Sequence, residues 1–314
     1  MEFNENCLRS LLHSDYARLV VWLVDNASED GSAEWVGKNF PNVKVVFTGG
    51  NLGWSAGNNF CIRKALAEGA EYLWILNNDV EVEPDCITRL IARAEQADRP
   101  GIVGPLIYYF EPKNRVWFEG GEIDHEQLDA DHCSFLRFES LPQERRYITG
   151  CALMVRREVF ERIGLFDQRF FMYFEDTDFC SRAARAGYGI AVEQAATMYH
   201  KVSAFSGGAG GKSKGFKTYH MLRSSMLFWR KQHGFWRFHR RWCDGHLGKW
   251  VNDLPAWWAD IGRRPAAEAI MDAVWYILTL RNVPLQRPRS PGWFRWLMRT
   301  RPWLVARWMS FRMR

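Results

Sequence analysis

An acidic residue interrupts a run of β-type residues at positions 73–84, which read LWILNNDVEVEP. Asp79 lies in the middle of this run, and burying a carboxylate in a sheet is costly unless a charged group meets it. Mg²⁺ or Mn²⁺ would meet it, because these hard cations take oxygen ligands and need only one or two carboxylates when phosphates complete the shell. The pattern therefore favours a divalent metal at Asp79. Turn formation is the alternative, since Asn and Asp are also typical of turns.

Three further carboxylates, Glu175, Asp176 and Asp178, follow an aromatic run in the segment FFMYFEDTDF. We expect the aromatic side chains to be buried and a helix to begin at the carboxylates. Anions at a helix start gain about 0.3–1 kcal/mol from the helix dipole, so capping alone is one explanation. The other explanation is that one carboxylate acts as a general base and takes a proton from a bound hydroxyl.

His200 closes an apolar stretch at residues 191–199, and the segment SAFSGGAGGKSKG follows it at 203–215. A single histidine in such a place is more often a packed core residue than a metal ligand. The glycine- and serine-rich segment, with its two lysines, suits a mobile lid over phosphates. It suits a plain linker equally well.

Alternating strand and helix patterns must position these residues. Three apolar, β-rich segments are predicted strands: 19–24, 43–47 and 72–76. One helix is expected after Ser32, its predicted N-cap, and another at about 56–68. This alternation predicts an α/β fold with a largely parallel sheet flanked by helices.

Each of the three predicted strands ends in a short polar group. In an open α/β sheet the ligand crevice lies at the carboxyl ends of the strands. Asp25, Asn51 and Asp79 are therefore expected to face one crevice if the three strands are neighbours. Taken singly, turn formation is the more common explanation for each polar group.

Six motifs in this order resemble the glycosyltransferase family 2 pattern, and most of all its rhamnosyltransferase-like subgroup of bacterial surface polysaccharide assembly. They are VDNASEDGS, NLGWSAGNN, WILNNDVEVEP, GIVGP, TGCALMVRREVFERIGLFD and FFMYFEDTDFCSRAARAGY, the last followed by His200. The resemblance extends from about Asn4 to Arg230. It implies a GT-A fold, in which a nucleotide-binding parallel sheet joins a smaller mixed sheet that holds the acceptor.

The resemblance also implies roles for the acidic residues and the histidine. Asn77, Asn78 and Asp79 occupy the place of the family's D-x-D motif, and because the first position is Asn, Asp79 is expected to carry the metal binding. His200 matches a histidine that completes the metal site in related transferases. Asp176 matches the catalytic base, with Glu175 beside it as a second candidate.

Further positions match the family's nucleotide-sugar site. Asp25 matches an acidic residue that contacts the base or ribose of the donor, and Gly150 matches a small residue that leaves room beneath the sugar. The whole set expected to bind the nucleotide sugar is Asp25, Asn26, Asn51, Gly53, Asn58, Asn77, Asn78, Gly120, Gly121 and Gly150.

The implied reaction is the inverting, metal-dependent transfer of a sugar from a nucleotide-sugar donor to a hydroxyl of a lipid-linked or polysaccharide acceptor. Asp176 would take the acceptor proton, and Mg²⁺ or Mn²⁺ would neutralise charge on the departing diphosphate. The donor expected from the subgroup is dTDP-L-rhamnose, with mannose, galactose and N-acetylglucosamine as alternative sugars. A non-catalytic, membrane-peripheral binding subunit is the alternative from another functional class.

One departure from the family concerns its first strand. The family opens with a hydrophobic strand ending in a Thr-Tyr-Asn-like turn, whereas this sequence starts at MEFNENCLRSLL, which aligns with the helix after that strand. We therefore expect a GT-A sheet without its first strand, or a partner or another element in the strand's place.

The charge of the chain is unevenly distributed. Residues 229–314 contain 15 Arg and 2 Lys against 5 Asp or Glu, together with 11 of the 16 tryptophans, whereas the whole chain carries only +6. We predict a GT-A glycosyltransferase domain at 1–215 and a basic, amphipathic helical region at 216–314. Helices with Trp and Arg on different faces favour the membrane interface. Packing of the tryptophans against the rest of the chain is the alternative.

Composition also argues against several classes of protein. No apolar run approaches the length of a transmembrane helix, the start lacks a signal-peptide pattern, and no nucleic-acid motif accompanies the basic residues. We therefore expect a cytoplasmic protein, peripheral on the inner face of the cell membrane, that does not bind nucleic acid. Seven scattered cysteines without a C-x-x-C pair predict reduced thiols rather than disulfides or a zinc site.

Overall fold

The structure is a computed structural model that describes residues 2–202, 211–234, 238, 258, 263–278 and 289–300. The chain forms two compact units, one of Met1–Phe170 with Glu175–Ala204 and one of Phe171–Phe174 with Phe205–Arg314. Composition predicts a division at residue 215, whereas the units divide near residue 204. Of the predicted lid or linker, residues 203–210 lie outside the described residues, and residues 211–215 begin a helix.

Strands and helices alternate through most of the first unit. Its strands are β1 (Trp22–Asp25), β2 (Lys44–Phe47), β3 (Tyr72–Leu76), β4 (Val80–Val82), β5 (Ile102–Tyr109), β6 (Val116–Phe118), β7 (Gly121–Asp124), β8 (Asp129–His132), β9 (Arg146–Tyr147), β10 (Ala152–Arg156) and β11 (Ile190–His200). Its helices are α1 (Glu2–Leu12), α2 (Ser32–Asn39), α3 (Gly53–Ala67), α4 (Cys86–Ala94), α5 (Phe135–Ser140), α6 (Arg157–Ile163) and α7 (Glu175–Arg185).

The main sheet has the strand order β3-β10-β5-β11-β4, with β6 paired to β5. β11 runs parallel to β5, but β10 and β4 run antiparallel to their neighbours. The sheet is therefore mixed, and the expectation of a largely parallel sheet was wrong. β3 and β4 are at opposite edges of this sheet, although only residues 77–79 separate them in the sequence.

β1 and β2 pair in parallel as a separate two-stranded sheet. Leu8 of α1 and Val36 of α2 pack with Phe40 and Val43 in a hydrophobic cluster beside this sheet. In the part of the chain that the structure describes, β1 pairs with β2 alone, β3 pairs with β10 alone, and no strand precedes α1.

Two predicted helix starts differ from the structure. Ser32 is not the N-cap of α2 but its first residue, because Gly31 caps the helix in a left-handed conformation with φ 71° and Asp30 accepts the Ser32 N–H at 3.1 Å. α3 begins at Gly53, before the expected start near 56. Asn51 Oδ1 accepts the Gly53 N–H at 3.0 Å, so a side chain before the helix bonds its first residue, three positions ahead of the start that periodicity indicates.

Asn59 fastens α3 to a distant loop. Its side-chain amide donates to the Phe166 carbonyl at 2.8 Å and accepts the Phe166 N–H at 3.0 Å, and Asn59 is buried. Both polar groups of a buried peptide unit are thus satisfied by one side chain, as a buried backbone requires. These two hydrogen bonds hold the middle of α3 against the segment that precedes α7.

The three strands that follow β6 in the sequence form a small antiparallel sheet with the order β8-β7-β9. Gly120 and Gly121 stand at its entrance, where a side chain on Gly120 would overlap Phe138 and one on Gly121 would overlap Tyr147. Gly120 also has a φ of 144°, which only glycine adopts readily. Packing therefore requires glycine at both positions, whatever else they do.

The second unit contains three described helices, α8 (Gly211–His233), α9 (Arg264–Leu278) and α10 (Gly292–Thr300). α8 and α9 pack against each other, and Ala267, Ile270 and Val274 of α9 are buried. None of the described helices is both long enough and apolar enough to cross a bilayer. The six cysteines in the described range are free thiols.

Replacing Asn59 tests the anchoring of α3. Asn59→Ala leaves the buried N–H and C=O of Phe166 without partners, and we expect it to destabilise the first unit by about 1–3 kcal/mol. Denaturant unfolding measures the change. Asn39→Ala is the matched control, because Asn39 is exposed and bonds only within α2. Equal destabilisation by the two variants would contradict the anchoring role.

Candidate active site

Pairing of β4 with β11 brings Asp79 next to His200. His200 is the last residue of β11 and is opposite Val80, the first residue of β4. The Asp79 carbonyl accepts the Lys201 N–H at 2.8 Å, which closes the end of the ladder. Asp79 is 5% exposed and His200 is 7% exposed, and Asp79 Oδ1 lies 3.3 Å from His200 Nε2. Two predicted metal ligands, 121 residues apart in the sequence, thus meet in a buried position.

Asp79 Oδ1 and His200 Nε2 face each other at a distance that can be compared with that of two ligands on one cation. Apart from this contact, the buried Asp79 Oδ1 has no hydrogen-bond partner among the described residues. Two ligands at about 2.1 Å from one octahedral cation lie about 3.0 Å apart, close to the 3.3 Å seen here. Oxygen and imidazole nitrogen are donors that Mg²⁺ and Mn²⁺ accept. The donor set therefore fits a divalent cation.

Ring packing holds the His200 imidazole. The Trp117 ring meets it edge-on at a centroid distance of 4.3 Å, and Trp117 meets His132 at 5.0 Å. No third carboxylate, histidine or cysteine joins Asp79 and His200 in a cluster within the described part of the chain. A cation at this pair would take its other ligands from phosphate oxygens and water, as Mg²⁺ commonly does.

Helix α1 braces the segment 77–79 from behind. Asn78 Nδ2 donates to Asn4 Oδ1 at 2.6 Å, and the Cys7 thiol lies 3.8 Å from the Asn77 carbonyl. Asn4 and Cys7 are buried, and burial raises the pKa of the Cys7 thiol to about 12, so the thiol stays neutral. Asn4 is a residue that sequence reasoning missed, because nothing local indicates a contact across 74 positions.

Asn77 connects the metal side to the base of the crevice. Its N–H donates to the Cys151 carbonyl at 2.9 Å, and its side-chain oxygen accepts the indole N–H of Trp54 at 3.3 Å. The Trp54 ring lies next to Gly150, where an added Cβ would come within 3.1 Å of it. A side chain at position 150 would therefore press on the Trp54 ring, and Trp54 is a second residue that sequence reasoning missed.

Asp176 is held in place by backbone donors. Its Oδ2 accepts the Gly150 N–H at 2.7 Å, and its Oδ1 accepts the Thr177 N–H at 2.6 Å and the Thr177 hydroxyl at 3.1 Å. It lies in the first turn of α7, directly after Tyr173 and Phe174, which have φ values of 67° and 63°. Non-glycine residues rarely adopt this left-handed conformation, and two in succession turn the chain sharply into the helix.

The two neighbouring carboxylates differ in their surroundings. Burial raises the pKa of Asp176, and its three hydrogen bonds oppose that rise because they stabilise the ionised form. Burial and the adjacent Asp176 raise the pKa of Glu175 well above its ordinary value. Glu175 Oε2 is buried without a hydrogen-bond partner among the described residues. The pKa values of both carboxyls are thus raised, and Asp176 is the one whose two oxygens accept hydrogen bonds from other residues that favour its ionised form.

The expected nucleotide-binding residues at the ends of β1 and β2 do come together. Asn26 Nδ2 donates to the Gly53 carbonyl at 3.1 Å and to Asn51 Oδ1 at 3.3 Å, while Asn26 Oδ1 accepts the Leu52 N–H at 2.9 Å. Asp25 is buried and accepts the Ser28 N–H at 3.1 Å. These bonds join the loop after β1 to the loop before α3. They also show that several polar side chains at this edge form hydrogen bonds with the backbone of the loops, as turn residues do.

Three other expected residues have partners that explain them structurally. The Asn58 side chain donates to the Trp54 carbonyl within α3 at 2.9 Å, and Gly120 and Gly121 pack against aromatic rings. Their proposed contacts with the nucleotide sugar stay predictions. His132 is a further residue that sequence reasoning missed: its Nδ1 lies 3.0 Å from the Trp117 carbonyl, and its charge lowers the pKa of Asp176.

The arrangement places metal ligands and a fixed carboxylate on one continuous scaffold. Asp79 precedes β4, Asn77 bonds to Cys151, and the neighbouring Gly150 bonds to Asp176. Such a site can hold a phosphate-bound cation on one side and accept a proton on the other. A group transfer from a phosphate ester to a hydroxyl is the chemistry that this combination suits.

Comparisons with known proteins agree with this geometry. Residues 3–164 match the family described as Glycosyl transferase family 2. N-acetylglucosaminyl-diphospho-decaprenol L-rhamnosyltransferase of Mycobacterium tuberculosis is 31% identical to this chain over 263 residues, which cover 76% of this chain and 83% of that protein. The dTDP-rhamnosyl transferase RfbF of Shigella flexneri is 23% identical over 196 residues, covering 61% of this chain and 64% of that protein.

A solved structure shows the same fold. The mannosyltransferase PcManGT from Pyrobaculum calidifontis, solved in complex with GDP-Man and Mn²⁺, superposes with a TM-score of 0.53 at 16% identity and covers 99% of this chain and 83% of its own. At this identity the likeness speaks for the fold alone. Since the family match covers half of the chain and the mycobacterial relative most of it, the chain belongs to glycosyltransferase family 2 and is a glycosyltransferase with the GT-A fold.

Proposed function

We propose that this glycosyltransferase moves L-rhamnose from dTDP-L-rhamnose to a lipid-linked N-acetylglucosamine during assembly of a cell-surface glycan. The observation that carries the proposal is the 31% identity, over 76% of this chain, to an enzyme named for L-rhamnosyl transfer to N-acetylglucosaminyl-diphospho-decaprenol. The name of RfbF, a dTDP-rhamnosyl transferase, supports dTDP as the donor nucleotide. A polyprenyl diphosphate that bears the acceptor sugar is the acceptor class that follows.

Asp176 is the proposed catalytic base. Its carboxylate takes the proton from the attacking acceptor hydroxyl as that oxygen bonds to the anomeric carbon of the donor. The bond from the anomeric carbon to the diphosphate oxygen breaks on the opposite face, so the configuration inverts. Hydrogen bonds from Gly150 and Thr177 aim the carboxylate and keep it ionised against the effect of burial. No covalent intermediate is needed.

Glu175 has a supporting role in this proposal. Burial and the adjacent Asp176 raise its pKa, so a second negative charge beside Asp176 is disfavoured. If Glu175 ionised, the two adjacent carboxylates would repel each other and the pKa of Asp176 would rise further. The choice of Asp176 over Glu175 as base therefore rests on which of them has hydrogen-bond donors.

Asp79 and His200 are the proposed ligands of Mg²⁺ or Mn²⁺. When bound, the cation supplies Lewis-acid neutralisation of the charge on the departing diphosphate. Asp79 offers an anionic oxygen and His200 a neutral nitrogen, and the buried, unbonded state of Asp79 Oδ1 supports this assignment. Asn4, through Asn78, and Trp54, through Asn77, keep the loop that carries Asp79 in place.

The proposed donor site runs along the loops after β1, β2 and β3. Asp25 and Asn26 would contact the base and ribose, Asn51 and Gly53 would border the nucleotide, and the space above Gly150 would admit the sugar. The hydrogen-bonded loop pair after β1 and before α3 supports this part of the proposal. We further propose that the enzyme works on the cytoplasmic face of the cell membrane, where nucleotide sugars and a lipid-linked acceptor meet.

A donor panel tests the proposed function. The purified chain is incubated with Mn²⁺, a short-chain polyprenyl-diphosphate-linked N-acetylglucosamine and, in separate reactions, dTDP-L-rhamnose, UDP-galactose, UDP-N-acetylglucosamine or GDP-mannose. We expect one product, from dTDP-L-rhamnose. Transfer from another donor would overturn the sugar assignment. No transfer from any donor by folded protein that binds dTDP would favour the non-catalytic binding subunit.

Removing the metal ligands is expected to abolish the metal dependence of nucleotide binding. In Asp79→Ala and His200→Ala the cation loses one of its two protein ligands, and we expect Mn²⁺ affinity to fall by at least about 100-fold. Calorimetric titration of dTDP with and without Mn²⁺ measures this. Asp129→Ala, at an exposed position of β8, is the control. If neither EDTA nor Asp79→Ala changes the affinity for dTDP, this metal site is excluded.

Replacing the proposed base should separate binding from catalysis. Asp176→Asn keeps the size of the side chain but cannot accept the proton, so we expect kcat to fall about 10²–10⁴-fold while dTDP binding stays close to that of the native chain. Glu175→Gln, which resembles the protonated acid, should retain most of the activity. Near-native turnover of Asp176→Asn, with loss of turnover in Glu175→Gln, would move the base to Glu175.

The raised pKa of Glu175 also predicts a pH-dependent stability difference. A carboxyl whose folded-state pKa lies above its unfolded value of about 4.3 destabilises the folded state increasingly as pH rises above that value. Glu175→Gln removes this penalty. The Tm of this variant relative to that of the native chain should therefore increase between pH 5 and pH 8. Glu34→Gln, at an exposed position of α2, should show no such trend. A pH-independent difference for Glu175→Gln would contradict the buried, protonated state.

A further inference from the structure

We propose that the outer face of α10 binds the surface of an anionic lipid bilayer, with the Trp293 and Trp296 rings inserted among the lipid head groups. This inference rests on the proposed lipid-linked acceptor, which requires the enzyme to work at a bilayer. It goes further by identifying which surface of the chain meets the lipid and which lipid chemistry that surface selects.

The burial pattern of α10 defines two faces. Phe294 and Met298, four residues apart, are buried on the inner face. Trp293 is 60% exposed and Trp296 is 57% exposed. Because they are three residues apart in the helix, they lie side by side on the outer face. The largest apolar side chains of the outer face thus face solvent, whereas an ordinary surface helix would present polar residues there.

The inner face is fixed to the rest of the second unit. The Phe294 ring packs on Trp275 of α9 at a centroid distance of 5.0 Å. Asp272 of α9 is fully buried and accepts the Ser290 N–H and hydroxyl, each at 2.8 Å, and Arg295 at 2.5 Å. A charge-assisted network of this kind locks the start of α10 in one orientation. The exposure of the two tryptophans is therefore set by packing within the unit and is not a consequence of a loose helix.

Charge identifies the partner as an anionic surface. Asp272 is the last acidic residue of the chain, and nine arginines but no lysine follow it up to Arg314. Two of them are in α10 itself: Arg295 is bonded to the buried Asp272, whereas Arg299 is exposed, three residues after Trp296, and stacks on the Trp258 ring at 4.1 Å. Each basic residue near an anionic membrane contributes about 1 kcal/mol of attraction. A long segment that carries only positive charges is complementary to a continuous negative surface.

Tryptophan is the side chain that the membrane interface selects. Its ring is apolar over most of its area and its indole N–H remains in contact with water, so it settles at the level of the head groups. Two such rings on one helix face, with the exposed Arg299 three residues beyond Trp296, match an interfacial helix rather than a spanning one. A neutral protein partner would also cover the tryptophans, but it would not use the unbroken positive charge.

Vesicle binding of the full chain tests this inference. Flotation with vesicles of phosphatidylcholine alone and with vesicles containing one-third phosphatidylglycerol measures the partition of three proteins: the native chain, Trp293→Ala with Trp296→Ala, and Leu136→Ala. Leu136 is the matched control, because it is an exposed apolar residue, at 83%, in the first unit. All three substituted side chains are on the surface, so we expect the variants to remain folded.

We expect the native chain and Leu136→Ala to bind the anionic vesicles and to be released from them by salt. The double tryptophan variant should lose roughly tenfold or more in partition, because two inserted rings are removed. Native binding to neutral and anionic vesicles alike would overturn the selection for anionic lipid. Equal partition of the double variant and the native chain, or no binding by either, would overturn the lipid role of α10.

The same variants keep this result separate from the proposed function. With a short-chain, water-soluble acceptor, the double tryptophan variant should transfer sugar as fast as the native chain, because α10 is not part of the proposed catalytic machinery. If no protein transfers any sugar but the vesicle results are as expected, the proposed function fails and the lipid surface stands. If transfer is normal and vesicle binding is absent, the lipid surface fails alone.

Discussion

The pairing of β4 with β11 is the constraint on which the rest of the active site depends. It forces a carboxylate, Asp79, and an imidazole, His200, into a buried position where their facing atoms are 3.3 Å apart. Apart from this contact, Asp79 Oδ1 has no hydrogen-bond partner among the described residues, and a buried polar atom is costly without one. Strand pairing thus brings together an oxygen and a nitrogen of the kinds that divalent cations accept.

A chain of direct contacts extends from this pair to the opposite side of the crevice. Asn77 meets Trp54 and Cys151, the Trp54 ring closes on Gly150, and the Gly150 N–H binds Asp176. Each contact uses a backbone amide or a rigid ring, which leaves little freedom for the reacting groups to drift apart. Transferases that rely on orientation need this rigidity, because small displacements of catalytic groups lower the rate steeply. Glu175 is buried next to Asp176, and both burial and that neighbour raise its pKa.

The second unit works by a different principle. Its buried Asp272 gathers Ser290 and Arg295 and thereby fixes α10, and the same packing leaves Trp293 and Trp296 in solvent. The first unit thus buries the charged groups of its site, whereas the second leaves two tryptophan rings exposed. The proposed lipid-linked acceptor and the proposed lipid-binding face would use both properties in one protein.

The sequence by itself determined the identity of the chemical groups and most local structure. β3 lies at the predicted residues 72–76, α7 begins at the predicted Glu175, and the family was recognisable from six motifs, because residue type and periodicity act over a few neighbouring residues. Tertiary structure decided the mixed direction of the sheet, the meeting of Asp79 with His200, and the use of Asn4, Trp54 and His132. These depend on contacts between segments far apart in the chain, such as Asn4 with Asn78, and no local pattern encodes which distant segment will be the neighbour. The hydrogen-bond donors that distinguish Asp176 from Glu175 are likewise supplied only by the folded chain.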